Sequence, residues 1–332
     1  MGHGINTKRD FQIGLEMAWH SLTRIVPAVT REHFPEVKRL PLYYVLPDGQ
    51  LAEWTGTTVP VSVDDGLPVG VSSEDSYGDF TPRDAFDHVG KVLAGTRHTV
   101  SSVGMIFNRS RWFLSVDLDE LKAVSRDGEK FHLVWSGGLA KNQSPMCALS
   151  HHRAVCNNTV QISRTQGQTL FTARLTQNFK SYLEAATEEI EKAVGMAKVF
   201  NLTLQGLEKE SATVDQVRSV YAGELSEAGG DLKSARSRNT LDAMLSLFQR
   251  GAGNEGRTRA DALNGFTEYF GRGDGSETKK NPFARWTSAE FGTFAERKAA
   301  FAAELGSADG WDRLSAVGAE ALADARRGTV AV

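Results

Sequence analysis

Short apolar or alternating stretches, separated by turn residues, fill the chain from about residue 42 to residue 175. Runs of strand length bounded by Gly, Pro, Asp and Asn are typical of β-strands joined by tight turns. One helix interrupts them, because Thr81 followed by Pro82 predicts a capped helix start and apolar residues then recur at helical spacing until Gly95. The predicted strands are Leu42–Leu46, Val59–Val63, Val69–Val71, Val100–Phe107, Trp112–Val116, Phe131–Trp135 and Val155–Ile162.

The apolar period changes to 3.6 residues beyond Thr176, which predicts a helical second half. A long helix is predicted from near Asn178, followed by helices at about 214–225, 240–249, 258–270, 288–305 and 309–326. The residues predicted to cap helix starts are Thr213, Thr240, Thr258 and Thr287. The predicted fold class is therefore α+β, with a mixed, β-rich domain at 1–176 that contains one or more helices and a helical domain at 177–332.

Composition is that of an ordinary folded protein, with 40% hydrophobic and 24% charged residues among 332. The 38 basic and 41 acidic residues give a net charge of −3 and divide evenly between the halves, so a polyanion site must be a local patch. No apolar run approaches the roughly 20 residues of a membrane span, and the N-terminus lacks a signal-peptide pattern. Two cysteines are too few for a disulfide framework. We therefore expect a cytoplasmic protein with no membrane partner.

Cys147, His151, His152 and Cys156 form a C-x3-H-H-x3-C cluster. These are zinc-ligand types, although structural zinc sites usually place their ligands as two well-separated pairs. The cluster also suits an enzyme in which Cys156 is the nucleophile and His151 or His152 is its base. We favour a β-hairpin with the histidines at its tip and buried cysteines on its flanks. No catalytic residue, metal or cofactor is predicted, and the Cys/His-dependent or metal-dependent enzyme is kept as an alternative.

Residues 251–258 nearly match the phosphate-binding pattern G-x4-G-K-[ST], with Arg257 in place of the lysine. A phosphate-binding loop of this type follows a strand, whereas the segment before Gly251 has a helical period. We therefore interpret this stretch as a loop between two helices that ends at the cap residue Thr258.

Basic and aromatic residues are interleaved between Arg236 and Arg285, where nine basic residues stand against six acidic ones. Proteins bind single-stranded nucleic acid with this combination, because cations bind phosphates and bases stack on aromatic rings. Aromatic residues at helical spacing are alternatively part of a core. The predicted phosphate contacts are Arg257, Arg259, Lys279, Lys280 and Arg285, and the predicted stacking residues are Tyr269 and Trp286.

Several segments, taken in order, resemble the phage and plasmid protein family catalogued as domain of unknown function 932. The matching pieces are Ala18-Trp19-His20, the stretch 67–78, the helix at 81–93, Arg153-Ala-Val-Cys-Asn-Asn-Thr159, Thr258, Ala262-Leu-Asn-Gly-Phe-Thr-Glu-Tyr269 and Phe291-Gly292. The resemblance implies a mobile-element gene and a mixed N-terminal region followed by helices, and it implies no established activity. Such genes often travel with replication and recombination functions.

These observations favour a non-enzymatic accessory protein of phages or plasmids that binds single-stranded nucleic acid in replication or recombination. It would act in the manner of strand-annealing proteins and could form a homo-oligomer, as a ring or filament. Two alternatives stay open. One is the Cys/His or metal enzyme, and the other is a protein that binds a host factor through an apolar patch.

Overall fold

The computed structural model describes residues 10–15, 24–70, 73–74, 80–106, 109–118, 130–139, 145–153, 158–161, 171–172, 186–272 and 293–329. Its strands are β1 (Phe11–Gly14), β2 (Arg24–Ile25), β3 (Val37–Val45), β4 (Leu51–Ser62), β5 (Ser73–Glu74), β6 (Val100–Ile106), β7 (Arg111–Asp117), β8 (Lys130–Gly138), β9 (Met146–Arg153), β10 (Asn158–Gln161) and β11 (Phe171–Thr172). Its helices are α1 (Pro82–Leu93), α2 (Ala186–Lys209), α3 (Val214–Glu227), α4 (Ala235–Arg250), α5 (Arg259–Arg272), α6 (Thr293–Gly306) and α7 (Gly310–Thr329). The fold class is α+β, as the sequence pattern predicts.

The larger sheet has the strand order β10-β9-β8-β7-β6-β1-β2, and β11 pairs with β9. Strands β6, β7 and β8 are antiparallel neighbours in its centre. Nearly every residue of these three strands is buried, including both faces. Burial on both faces explains why their sequences are nearly continuous apolar runs, which the sequence analysis identifies as strands.

A smaller sheet has the order β3-β4-β5, and most of it is the long hairpin of β3 and β4. Its turn lies at Pro47-Asp48-Gly49, where Gly49 adopts a positive φ of 86°. The ladder shifts register between Pro41 and Tyr43, next to a proline that has no N–H to donate. Both strands are longer than the predicted runs Leu42–Leu46 and Val59–Val63.

Helix caps confirm three of the predicted helix starts. Thr81 and Thr213 each form a capping box with the residue three positions later. Thr258 accepts a hydrogen bond from the N–H of Asp261 at 3.1 Å, at the start of α5. The predicted start of the long helix near Asn178 and the predicted cap Thr287 lie outside the described residues.

The predicted cap Thr240 is wrong. Helix α4 begins at Ala235, and its cap is Ser234, whose hydroxyl accepts the N–H of Ser237 at 3.2 Å. Ser234 accepts one of the free N–H groups of the first turn. The helix therefore begins at Ala235, five residues before the predicted start at 240, and its polar first turn conceals this from the apolar pattern. Thr240 lies within the helix instead.

The described residues group into two compact units. One contains the strands up to Leu149, and the other contains the end of β9, β10 and the chain from Met196 onward. The division expected at 176/177 stays a prediction. No helix among the described residues is both long and apolar enough to cross a membrane.

Aromatic rings form the centre of the helical unit. Phe266 on α5 stacks on Phe301 of α6 with ring centroids 3.9 Å apart, and both rings contact Tyr221 of α3. The Tyr221 hydroxyl donates to the carbonyl of Ala262 at 2.5 Å. Complete burial raises the pKa of Tyr221 well above its usual value. Phe266, one of the aromatics interleaved with the basic residues, is therefore a core residue.

Helices α3 and α7 approach each other backbone to backbone. A Cβ added to Gly318 would overlap the carbonyl oxygen of Ser219, and one added to Gly223 would overlap that of Leu314. Glycine is therefore required at both positions by space alone. Gly206 on α2 is different, because a Cβ there would meet nothing within 4 Å.

We predict that Gly318→Ala destabilises the protein by about 3 kcal/mol, since the added methyl forces α3 and α7 apart. Gly206→Ala is the matched control and should be neutral or stabilising by up to about 1 kcal/mol. Urea denaturation followed by circular dichroism measures both. Equal effects of the two substitutions would contradict the close packing of α3 on α7.

Candidate nucleic-acid interface

A polar cleft of about 560 Å³ lies in the helical unit, and we call it the α3–α5 cleft. It is bounded by the end of α3, the first turns of α4, the end of α5 and the start of α6. Its lining residues are Leu225, Ala228, Gly229, Gly230, Asp231, Ser234, Arg236, Ser237, Thr240, Tyr269, Phe270, Phe294 and Arg297. It is the size of pockets that hold small ligands, which are typically about 300–1,000 Å³.

The corner between α3 and α4 forms one wall of the cleft. Helix α3 ends where the N–H of Gly230 donates to the carbonyl of Leu225 at 2.8 Å, and Gly229 adopts a φ of 78°. This left-handed glycine turns the chain sharply after the helix. The chain then enters α4 at Ser234, so the hydroxyls of Ser234 and Ser237 lie 3.1 Å apart beside the helix N-terminus.

Tyr269 is held at the edge of the aromatic core. Its ring packs edge-on against Phe270, with centroids 5.2 Å apart, and its hydroxyl lies 3.2 Å from that of Thr240. Phe270 is 3% exposed, whereas Tyr269 is only half-buried and lines the cleft. Of these two neighbouring aromatics, Tyr269 is the one that is partly exposed.

A partly buried ion pair fixes the opposite wall. Arg297 on α6 donates two hydrogen bonds to the carboxylate of Glu224 on α3, at 2.7 and 2.6 Å. Its guanidinium also lies 4.6 Å above the ring of Phe270. Burial raises the pKa of Glu224, while the hydrogen bonds from Arg297 oppose that increase. The guanidinium of Arg297 is bound to the Glu224 carboxylate, so we assign it a structural role in the cleft wall.

Arg236 also lines the cleft. Within the part of the chain that the structure describes, it forms no ion pair and no hydrogen bond. It is exposed and lies in the first turn of α4, two residues after the Ser234 cap. Its neighbours differ, since Arg238 donates to the carbonyls of Leu232 and Lys233. A guanidinium without a carboxylate partner retains its full charge for an anion.

The predicted phosphate contacts Arg257 and Arg259 are both paired with carboxylates. Arg257 is 72% exposed and forms an ion pair with Glu255. Arg259 binds Glu210 at 2.7 Å and lies 4.5 Å from the centre of the Trp311 ring. Arg259 thus joins the ends of α2, α5 and α7, and neither residue lines the α3–α5 cleft.

The loop 251–258 connects two helices, as predicted. The N–H groups of Arg257 and Thr258 both donate to the Asp261 carboxylate, at 3.0 and 3.1 Å. In a phosphate-binding loop such amides would face the phosphate. Here the Asp261 carboxylate accepts both amide groups. The segment is therefore a helix cap that only resembles a phosphate-binding loop in sequence.

Four predicted contacts, Lys279, Lys280, Arg285 and Trp286, lie outside the described residues and stay predictions. In the chain they lie between α5 and α6. The described residues Phe270 and Phe294, on either side of this interval, both line the α3–α5 cleft.

The hairpin predicted around the Cys/His cluster is formed by β9 and β10, with Arg153 paired to Asn158 and His152 to Thr159. The histidines lie within β9 and not at the tip as predicted, because the chain reverses only after Arg153. Cys147 is buried, and the ring of His151 lies against Phe200, with centroids 5.4 Å apart.

Cys147 and His151 are four residues apart on β9, which separates their Cα atoms by roughly 13 Å. Strand side chains stand perpendicular to the sheet, so these two cannot meet at one zinc ion. Among the residues that the structure describes, no three His, Cys, Asp or Glu side chains come together as metal ligands. Cys156 lies outside that part of the chain, and the enzyme alternative stays a prediction.

The sequence pattern indicates no role for most of the cleft lining, including Ser234, Ser237, Phe294 and Arg297. Two local signals were available. The pair Gly229-Gly230 marks a sharp helix end, and Ser234 with Ser237 marks a capped start. The pairing of Arg297 with Glu224 spans 73 residues and leaves no local signal.

Comparison with known proteins identifies the family. A family model described as domain of unknown function, DUF932, matches residues 70–290, which is more than half of the chain. The chain belongs to the DUF932 family. No curated protein and no solved structure matches it. The matched range of this DUF932 protein contains the α3, α4 and α5 residues of the cleft, including Arg236 and Tyr269.

We predict that Arg297→Met destabilises this DUF932 protein by about 2 kcal/mol near pH 8, because it leaves the partly buried Glu224 carboxylate without its partner. The loss should be smaller near pH 5. Without Arg297 the pKa of Glu224 in the folded state rises further above its unfolded value. The stability of the variant then falls as pH rises from the pKa of Glu224 in the unfolded state to its pKa in the folded state.

Urea denaturation at several pH values measures this effect. The double variant Arg297→Met/Glu224→Gln is the control, since it removes the buried charge and should lose the added pH dependence. A single variant whose stability loss is the same at pH 5 and pH 8 would contradict the assignment.

Proposed function

We propose that this DUF932 protein binds single-stranded nucleic acid through the α3–α5 cleft, without catalysing a reaction. The observation that carries the proposal is the position of Arg236, which pairs with no carboxylate in the part of the chain that the structure describes, in the same cleft as the half-buried Tyr269. A positive group for phosphate and an aromatic face for a base are the two elements of sequence-tolerant single-strand binding.

The wall of the cleft at α4 suits a phosphate. The guanidinium of Arg236 and the hydroxyls of Ser234 and Ser237 lie in the first turn of a helix of 16 residues. The N-terminus of a helix carries a partial positive charge, which adds to the charge of Arg236. A phosphate bound there would be recognised by charge and hydrogen bonds, independently of base identity.

Tyr269 suits a base in the same cleft. The contact between its hydroxyl and Thr240 and its packing on Phe270 hold the ring in one orientation. A ring that is already fixed loses little conformational entropy when a base stacks on it. We propose the contacts predicted from the sequence, Lys279, Lys280, Arg285 and Trp286, as further contacts to the strand.

We further propose the biological setting that the sequence favours. The protein is a phage or plasmid accessory protein in the cytoplasm that acts in replication or recombination, in the manner of strand-annealing proteins. This setting rests on the mobile-element genes that the resemblance implies, and the family match itself assigns no activity. Binding that ignores base sequence fits such a role.

Arg236→Glu should weaken binding of a labelled single-stranded oligonucleotide by roughly tenfold at low salt and reduce the salt dependence of log affinity by about one counterion. Fluorescence anisotropy titrations at several salt concentrations measure both quantities. Arg257→Glu is the matched control, because Arg257 is already paired with Glu255 and lies outside the cleft. Equal effects of the two charge reversals, or wild-type affinity independent of salt, would count against the proposed site.

Tyr269→Ala should weaken binding by about 1–3 kcal/mol, the value of one stacked base. Tyr269→Phe keeps the ring and removes only the hydroxyl, so its affinity should stay near that of the wild type. The same anisotropy titration, run beside thermal denaturation, separates lost stacking from lost folding. If the phenylalanine variant lost as much affinity as the alanine variant, stacking on this ring would be excluded.

A further inference from the structure

The β3–β4 hairpin exposes large apolar side chains at its tip. Their exposed fractions are 52% for Tyr43, 46% for Tyr44, 69% for Val45, 70% for Leu51 and 58% for Trp54. The base of the hairpin differs, since Pro60 and Ser62 are buried. Apolar patches of roughly 300–600 Å² on a monomer are often binding sites.

Both faces of the hairpin tip are apolar. Val45 pairs with Leu51 and Tyr43 with Glu53, so Tyr43, Val45 and Leu51 share one face. Tyr44 and Trp54 share the other face, with their rings in edge-to-face contact and centroids 6.0 Å apart. A two-stranded hairpin that stands alone is marginally stable in water. Covering its tip with another surface would stabilise it.

The charge around this tip has one sign. Residues 40–82 contain seven acidic residues and no Lys, Arg or His, whereas the other 289 residues contain 38 basic and 34 acidic ones. Such a segment is repelled by nucleic acid and attracted to a basic surface. The hairpin therefore suits a partner that is both apolar and basic.

Helix α2 carries four Glu and three Lys, and its exposed apolar stripe is flanked by lysines. Val199 and Leu202 are 56% and 67% exposed, and they form a stripe at helical spacing with Gly195 and Gly206. A Cβ added to either glycine would meet nothing within 4 Å, so another backbone can approach closely. Lys198 and Lys209 are exposed beside this stripe.

We propose that the β3–β4 hairpin of one copy of this chain docks on the exposed stripe of α2 in a second copy. The apolar tip covers Val199 and Leu202, and Asp48 and Glu53 approach Lys198 and Lys209. The two surfaces are different patches of the same chain, so the contact is head-to-tail. Repetition of such a contact builds a ring or a filament. The inference is independent of nucleic-acid binding.

Sedimentation velocity without nucleic acid tests the proposal. The wild-type protein should associate with rising concentration, and added salt should weaken that association because opposite charges meet at the contact. Leu51→Asp on the hairpin and Leu202→Asp on α2 should each raise the dissociation constant at least tenfold. The matched control is Ile25→Asp, which changes a side chain of similar exposure that belongs to neither surface and should associate like the wild type.

Mixing the two variants gives the decisive result. The Leu51→Asp protein retains a competent α2 and the Leu202→Asp protein retains a competent hairpin, so their mixture should form a heterodimer and nothing larger. Neither variant should dimerise alone. Thermal denaturation confirms that each variant is folded.

Three results would overturn the proposal. One is a wild-type protein that stays monomeric up to its solubility limit. This result would overturn the proposal even if the hairpin bound a host protein instead. The second is loss of association in Leu51→Asp with full association in Leu202→Asp, which would place the docking surface elsewhere. The third is a mixture of the two variants that stays monomeric.

Discussion

The α3–α5 cleft depends on the bidentate ion pair between Arg297 and Glu224. This pair joins α6 to α3 on one side of the cleft, and the guanidinium covers the ring of Phe270. Breaking a buried pair leaves one uncompensated charge, which costs more than the pair itself contributes. The surrounding helices can therefore shift little, and the edge of the aromatic core that carries Tyr269 is held in place.

The pairing of cations decides which of them can bind an anion. Arg257 and Arg259 are the basic residues that local sequence makes most conspicuous, and both are neutralised by carboxylates, Glu255 and Glu210. Arg236 lies between Lys233 and Arg238 in a stretch that is at least as basic, and no described carboxylate pairs with it in the cleft. A count of charges along the chain cannot make this distinction, because the partner of Arg259 lies 49 residues away in sequence.

Much of the fold could be predicted where its cause is local. The runs that become β6, β7 and β8 are apolar because both faces are buried, and Thr81, Thr213 and Thr258 cap helices through neighbours three residues away. The start of α4 was missed because its first turn is polar and Ser234 caps it. The cleft could not be predicted, since four segments meet there through tertiary packing. Of the predicted contacts that the structure describes, Arg257, Arg259 and Tyr269, only Tyr269 lines it.

The central claim is that single-stranded nucleic acid binds in the α3–α5 cleft. Photo-crosslinking of a bromouracil-substituted oligonucleotide, followed by mass spectrometry of the tryptic peptides, tests it most directly. The account predicts a crosslink to the α5 peptide that contains Tyr269, which high salt and excess unlabelled oligonucleotide both suppress. Crosslinks confined to peptides remote from the cleft would contradict it. So would the absence of any crosslink to protein that circular dichroism shows to be folded.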